Sequence, residues 1–196
     1  VTRLAQQPVE FVGSFPDPKQ VLAPSLPEIA VIGRSNVGKS SLINALAGRK
    51  IARTSGTPGK TQLLNAFRFP GFYLIDLPGY GYARLSLAER HRLRTLVAGV
   101  VERRSTLRAV LWLLDVRHPP SADDLGIRDL LADTGRETIV ALTKADKLPR
   151  AQLRRAVAAR ADELELERDD LVVTSSAKGD GIGELDELIQ DAMGTS

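Results

Sequence analysis

The stretch that most constrains this chain is Gly33-Arg34-Ser35-Asn36-Val37-Gly38-Lys39-Ser40-Ser41, which reads GRSNVGKSS and fits the pattern GxxxxGK[ST]. An apolar run, Ile29-Ala30-Val31-Ile32, precedes it and reads as a buried strand. Leu42-Ile43-Asn44-Ala45-Leu46 follows and reads as the start of a helix. Strand, glycine-rich turn and helix together set a row of backbone N–H groups and a helix N-terminus around a phosphate. In such a loop Lys39 reaches the terminal phosphates and Ser40 holds a magnesium ion.

The remaining periodicity continues the alternation. Residues 1–28 are a poorly periodic lead-in in which 9–12 can form a short strand, followed by four prolines that keep the chain extended. Strands are expected at 62–69 and 72–75, joined by Pro70-Gly71 as the tight turn of an antiparallel pair. Further strands are expected at 107–114, 138–142 and 171–174. Helices are expected at 39–48, 87–104 with Ser86 as cap, 121–132, from Pro149 to about 163, and 182–192. Strands and helices of these lengths predict an α/β fold: a single domain over 29–194 with a mostly parallel central sheet, one antiparallel edge strand, and helices on both faces. The lead-in would pack on or beside it. The chemistry-bearing loops follow strands and so gather at the strands' carboxyl ends.

Composition narrows the classes. With no cysteine in 196 residues, disulfides, thiolate nucleophiles and cysteine metal sites are excluded, and a reducing cytoplasm fits. No apolar run approaches the ~20 residues that cross a bilayer, so membrane insertion is not expected. The N-terminus lacks the apolar core of a secretory signal. A net charge of +3 is compatible with RNA without requiring it.

A phosphate loop alone leaves an ATPase, a small-molecule kinase or a GTPase open. Three later signals separate them. Asp76-Leu77-Pro78-Gly79 ends the second strand of the hairpin. Its carboxylate can hold a magnesium-bound water, and the Gly79 N–H can sense the last phosphate. Magnesium requires such donors, because two phosphate oxygens cannot complete its octahedron. Thr143-Lys144-Ala145-Asp146 follows the 138–142 strand. The Asp146 carboxylate can accept from the N1–H and 2-amino groups of guanine, a donor pair that adenine lacks. The Lys144 stem can lie along the base. Ser175-Ser176-Ala177-Lys178 follows the last strand, which ends at Thr174, and there the Ala177 N–H can meet the guanine O6. Each tetrapeptide is an ordinary turn taken singly; their order along the chain is that of a GTPase.

These segments resemble the translation-factor-related GTPases, and within them the EngB (YihA/YsxC) family of ribosome-biogenesis GTP-binding proteins. The resemblance spans nearly the whole chain. It rests on GRSNVGKSSLINAL at 33–46, TPGKTQ at 57–62, DLPGYGYA at 76–83, TKAD at 143–146 and TSSAKGDGI at 174–182. It implies GTP as substrate, GDP as product, a magnesium ion, a role in assembly of the large ribosomal subunit, and a need in normal cell division and septation. It places phosphate contacts on Arg34 to Ser41 and the first switch on Gly59, Lys60, Thr61, Gln62 and Leu63. Thr61 would then join Ser40 as a magnesium ligand, with Asp76 on the same ion. Physically, Thr57 could serve as well as Thr61.

Two positions depart from the wider GTPase pattern. Thr143 stands where most GTPases carry asparagine, and a hydroxyl makes fewer hydrogen bonds than an amide, so a looser base loop is expected. Tyr80 occupies the place of the glutamine that orients water in Ras-like enzymes, so slow intrinsic hydrolysis is expected. In related GTPases the residue matching Asn36 helps coordinate potassium. Lys39, Asn36, Thr61 and Gly79 are therefore the expected catalytic set.

Arg84, Arg90, Arg92, Arg94, Arg103, Arg104 and Arg108 face only Glu89 and Glu102 over 84–108. This basic helix beside the second switch, with Tyr80 and Tyr82 able to stack on a base, suggests docking on ribosomal RNA and proteins of the large subunit or its precursor. A solvated helix face is the plainer alternative. A monomer is expected. A GTP-dependent binding module for division proteins is the competing reading. A small-molecule kinase is disfavoured, because no arginine-rich lid follows and TKAD has no use there.

Overall fold

The computed structural model describes residues 3–52, 63–81 and 86–195. Strand β1 (Glu10–Phe15) is followed by β2 (Glu28–Gly33), α1 (Lys39–Leu46), β3 (Leu64–Phe69) and β4 (Phe72–Asp76). Then come α2 (Leu87–Arg103), β5 (Leu107–Asp115), α3 (Ala122–Thr134), β6 (Glu137–Thr143), α4 (Arg150–Leu164), β7 (Leu171–Val173) and α5 (Ile182–Met193). The seven strands form one sheet in the order β1-β3-β4-β2-β5-β6-β7. β3 runs against both of its neighbours and every other pair is parallel. This is the expected fold class.

Alternation along the buried strands assigns the two faces. In β2, Ile29 and Val31 point toward α1 and α5, where Leu42, Ile43, Leu46, Leu185 and Ile189 cover them. Ala30 and Ile32 point the other way, toward α2, α3 and α4, with Leu93, Val97, Val100, Val101, Ile127 and Leu164. α2 begins where its sequence allows: the Glu89 N–H donates to the Ser86 hydroxyl while the Glu89 carboxylate accepts from the Ser86 N–H, a reciprocal cap. Pro149 sits one residue before α4, at its N-cap, where its fixed φ leads into the helix.

The antiparallel strand is not the outermost one. β1 pairs along β3 from Glu10 opposite Arg68 to Phe15 opposite Leu64, with an irregularity between Phe11 and Gly13. The strand is longer than the 9–12 stretch, because β3 offers it a partner edge and Phe15 a buried seat. A buried ion pair fastens the approach to β2. The Arg104 guanidinium donates through Nε and one terminal nitrogen to the two oxygens of Glu28, and through the other to the Pro18 carbonyl at 2.8 Å. Breaking such a pair from one side costs about 3–5 kcal/mol.

β2 lies between β4 and β5, so successive crossovers leave it in opposite directions. That reversal opens a crevice at its carboxyl end, and the GRSNVGKSS turn occupies it. β4, β5, β6 and β7 run parallel to β2 and deliver Asp76, Asp115, Thr143 and Thr174 to the same side of the sheet.

Candidate functional site

The turn from β2 into α1 takes a shape that two of its residues tolerate. Asn36 has φ 63° and Gly38 φ 105°, both left-handed. Asparagine adopts this region more readily than other side-chain-bearing residues, and at Gly38 glycine avoids the penalty of a Cβ. α1 opens with no side-chain cap and no acidic residue in its first turn. Its leading N–H groups therefore face a region suited to an anion. Lys39 and Ser40 are the first two residues of this helix, and Gly33, Arg34, Ser35 and Val37 complete the turn before it.

Asp76 closes β4 in register with Val31 of β2 and Asn65 of β3. This brings its largely buried carboxylate to the phosphate loop, where Oδ1 pairs with the Lys39 ammonium and Oδ2 lies 3.4 Å from the Asn65 amide nitrogen. The segment after it is laced to the loop. The Leu77 N–H donates to Val31 at 3.1 Å, the Tyr80 N–H to Gly33 at 3.3 Å, and the Ser35 N–H to the Tyr80 carbonyl at 2.7 Å. Pro78 and Gly79 lie within this stretch. Tyr80 itself turns inward and is 5% exposed. Its hydroxyl donates to Asp124 at 2.7 Å and accepts from the Trp112 indole N–H at 3.0 Å. Tyr80 is thus unavailable for stacking on a base, and its phenol is turned away from the phosphate loop.

On the base side, the Thr143 hydroxyl donates to the Val37 carbonyl at 2.6 Å, with the Leu114 carbonyl 3.1 Å away. The Lys144 ammonium donates to the Asn36 carbonyl and sits 2.9 Å from Asp115. The loop expected to be loosely held is therefore tied twice to the phosphate loop. The Ala145 N–H donates to Thr174 at 3.1 Å, joining the two base-side loops. The Asp146 carboxylate accepts from the Ser175 hydroxyl at 2.8 Å. That bond, with Lys147 3.2 Å away, holds its carboxyl below the usual range and keeps it an acceptor. A cavity of about 710 Å³ opens between Gly38, Ser41, Asn44, Asp146, Ser176 and Ala177. The phosphate loop, DLPG, TKAD and TSSA thus share one end of the sheet. Of the first switch, Leu63 is half-buried before β3. Gly59, Lys60, Thr61 and Gln62, with Thr57, lie outside the described residues, as do Tyr82 and Arg84.

Several positioning groups escaped the sequence reading. Asn44 clamps the chain leaving α1, accepting from the Ile51 and Ala52 N–H groups at 2.8 Å each and donating to the Ala52 carbonyl at 3.0 Å. Asp115 ends β5 as Asp76 ends β4, a placement that marks it as a candidate. Burial works to raise its pKa. The bidentate Arg117 guanidinium and then Lys144 outweigh that and bring it down to about 2. Asp124 has no such signal, since it reads as an ordinary residue in the first turn of α3.

The basic stretch is also sorted by the structure. Arg104 is buried against Glu28, and Arg94 pairs with Asp123 of α3. Arg90 and Arg94 rim a cleft of about 300 Å³ whose walls include Leu93, Val97, Ile127 and Leu130. Arg92, Arg103 and Arg108 are exposed. Among the described residues, no cluster of three acidic or histidine side chains could hold a metal by itself, and no helix is long and apolar enough to cross a membrane.

Comparison with known proteins agrees with this geometry. A family model described as a 50S ribosome-binding GTPase matches residues 28–144. The probable GTP-binding protein EngB of Streptococcus sanguinis is 46% identical over 160 residues, covering 80% of this chain and 82% of its own. That of Syntrophomonas wolfei is 40% identical over 186 residues, covering 94% and 96%. The crystal structure of a probable EngB protein superimposes with a TM-score of 0.73 at 24% identity, over 86% of this chain and all of that one. With the fold, the four loops and these relatives in agreement, the chain belongs to the EngB family of GTP-binding proteins and is a GTPase.

Proposed function

We propose that this GTPase is an assembly factor of the large ribosomal subunit, acting in the cytoplasm as a monomer. Its nucleotide state would decide whether it engages the subunit or its precursor through ribosomal RNA and proteins. The observation that carries this is the lacing of Gly33 and Ser35 to Tyr80. Gly79 and Tyr80 are thereby held to the phosphate loop, and in sequence they stand only a few residues before the basic helix α2. The description of the matching family as ribosome-binding supports the choice of partner. A requirement in cell division and septation belongs to the same reading.

In this reading the phosphate loop, Arg34 to Ser41, holds the β- and γ-phosphates through the N–H groups of residues 38–41 at the start of α1 and the Lys39 ammonium, while the Ser35 and Val37 N–H groups stay on the Tyr80 and Arg34 carbonyls. The Gly79 N–H donates to the γ-phosphate. Water attacks the γ-phosphorus, the bond to the β–γ bridging oxygen breaks, and GDP and phosphate leave. Asp76 sits at the loop end with both oxygens turned to polar partners, a hard-oxygen donor that fits magnesium beside the Ser40 hydroxyl. Ser40 and Thr61 would hold that ion directly and Asp76 through water; when bound, it neutralises developing phosphate charge. Asp146 reads guanine, and Ala177 meets O6. Tyr80 supplies no water-orienting group, so turnover alone should be slow. Asn36 would place a potassium ion to offset that loss, and hydrolysis should then run faster in potassium than in sodium at equal ionic strength. The test of the proposal is co-sedimentation with purified large subunits. More protein should pellet with a non-hydrolysable GTP analogue than with GDP. Equal pelleting in both states would refute the switch, because a partner that does not distinguish two states cannot be controlled by their exchange.

A further inference from the structure

α2 and α3 begin with the same device and spend it differently. In α2 the capping carboxylate, Glu89, stays at the surface, and its interactions serve Ser86. In α3 the equivalent residue, Asp124, is 1% exposed. One oxygen performs the capping duty, accepting from the Ser121 N–H at 2.7 Å and the Ser121 hydroxyl at 2.6 Å. The other accepts from the Tyr80 hydroxyl, 44 positions earlier in the chain. A helix cap does not need a buried charge, and burying one is costly unless its hydrogen bonds are filled. The second oxygen of Asp124 therefore has a purpose outside α3.

We infer that Asp124 is a positioning residue for the GTPase reaction, holding Gly79 against the phosphate loop through Tyr80. The phenol is fixed at both of its hydrogen-bonding capacities, donating to Asp124 and accepting from Trp112. Burial, and next the Asp124 charge, push its pKa far up, so it remains a neutral donor. The Tyr80 main chain is meanwhile bonded to Gly33 and Ser35 on opposite sides of Arg34. Gly79 is caught between these anchors. A Cβ on it would lie 3.0 Å from both the nitrogen and the Cα of Ser35. With its neighbour pinned through side chain and main chain, Gly79 presents its N–H in one orientation. The Arg34 guanidinium, 4.0 Å from Asp124, brings a second part of the phosphate loop to the same carboxylate. This rests on the reading that the Gly79 N–H meets the γ-phosphate.

The experiment compares Tyr80→Phe, Asp124→Asn, their combination, Ser121→Ala and Gly79→Ala in the full chain. It measures GTP-analogue and GDP affinities, turnover and thermal stability. Trp112 is the chain's only tryptophan and contacts the phenol, so its emission on exchanging GDP for the analogue reports the same contact. Tyr80→Phe keeps the ring and is the mild variant, should Asp124→Asn fail to fold. Tyr80→Phe and Asp124→Asn should each lower the ratio of GTP-analogue to GDP affinity on the order of tenfold, as expected for one bond to a buried charge. They should also slow turnover and flatten the nucleotide-dependent emission change. The double variant should be no worse than either single one. Ser121→Ala should lower thermal stability and leave the ratio alone. An unchanged ratio in folded Tyr80→Phe, or an equal drop from Ser121→Ala, overturns the inference and leaves α3 capping as the whole role of Asp124. If Gly79→Ala also leaves the ratio unchanged, the γ-phosphate reading itself falls. If Gly79→Ala lowers the ratio while Tyr80→Phe does not, only the positioning inference falls.

Discussion

The Lys144 ammonium donates to the main-chain carbonyl of Asn36, joining the base-side loop to the phosphate loop across 108 residues of sequence. Asp115 holds the same ammonium from the other side at 2.9 Å. Base recognition and phosphate binding therefore share one rigid support. The two residues of TKAD that carry charge should fail differently when changed. Lys144→Met removes the charged one of the two ties, leaving Thr143 on Val37, and should weaken GTP and GDP alike, on the order of tenfold, since a charge-assisted bond is lost from both complexes. Asp146→Asn leaves the support standing and changes the base-facing acceptor. It should weaken guanine nucleotides at least about tenfold and gain xanthine nucleotides, whose 2-oxo group can accept from the new amide. Titrations with GTP, GDP and XTP read both effects. Retained guanine preference in Asp146→Asn would sink the assignment of that carboxylate.

Asp115 gives the support a pH dependence whose sign is fixed. Its pKa falls from 3.8 to about 2 on folding, held there by Arg117 and Lys144 against the opposing effect of burial. A lowered carboxyl pKa stabilises the fold at pH values above the unfolded one, and the contribution fades as pH falls through the folded one. The stability difference between the natural chain and Asp115→Asn should therefore be constant at neutral pH and shrink from about pH 4 to about pH 2. Denaturant midpoints taken across that range measure it. A difference that grows on acidification would contradict the arrangement.

The parts of this molecule legible in sequence were those set by local pattern. The apolar runs of β2, β5 and β6 are buried on both faces and leave little else for those residues to do. Ser86 and Glu89 announce the start of α2 within four residues. What escaped depended on partners far along the chain. β1 contains Gly13 and Ser14, and Phe15 is its one buried residue, so its extent comes from β3 and not from its own pattern. The side chain of Tyr80 has a polar end suited equally to water or to a buried acceptor, and only the positions of Trp112 and Asp124 decide. Arg104 looks like one more cation on a basic helix until Glu28, 76 residues earlier, is seen beneath it.

Magnesium use can be separated from nucleotide binding as such. Ser40 lies in the first turn of α1 next to Lys39, whose ammonium pairs with Asp76 at the end of β4, and Thr61 is the donor expected from the first switch. Ser40→Ala should weaken GTP about tenfold or more in magnesium and matter much less in chelator. Thr61→Ala should harm GTP binding more than GDP binding, because a switch that closes on the last phosphate has nothing to close on in GDP. Equal losses for the two nucleotides would remove Thr61 from this role and return Thr57 as the candidate.

The docking face can be tested without disturbing the fold if the arginines are chosen by their contacts. Arg104 is committed to Glu28 and Arg94 to Asp123, and Arg90 rims the α2–α3 cleft, so changing them would perturb packing. Arg92 and Arg103 are exposed on α2, and Arg108 is exposed at the start of β5. If this face meets ribosomal RNA, each arginine on a phosphate displaces about one counterion, and affinity falls steeply with salt. Arg92→Glu with Arg103→Glu should then weaken pelleting with large subunits and lower the logarithmic salt slope by roughly two. GTP affinity should stay unchanged, because both side chains are exposed and neither belongs to the phosphate loop, while the melting temperature should drop slightly, from a like charge near Glu89 and an acidic residue in the last turn of α2. The residual binding should still favour the GTP-analogue state, since the bonds that tie Tyr80 to Gly33 and Ser35 are untouched. A solvated helix face predicts instead that the double variant pellets like the natural chain at every salt concentration, and that result would remove α2 from the interface while leaving the GTP site as described.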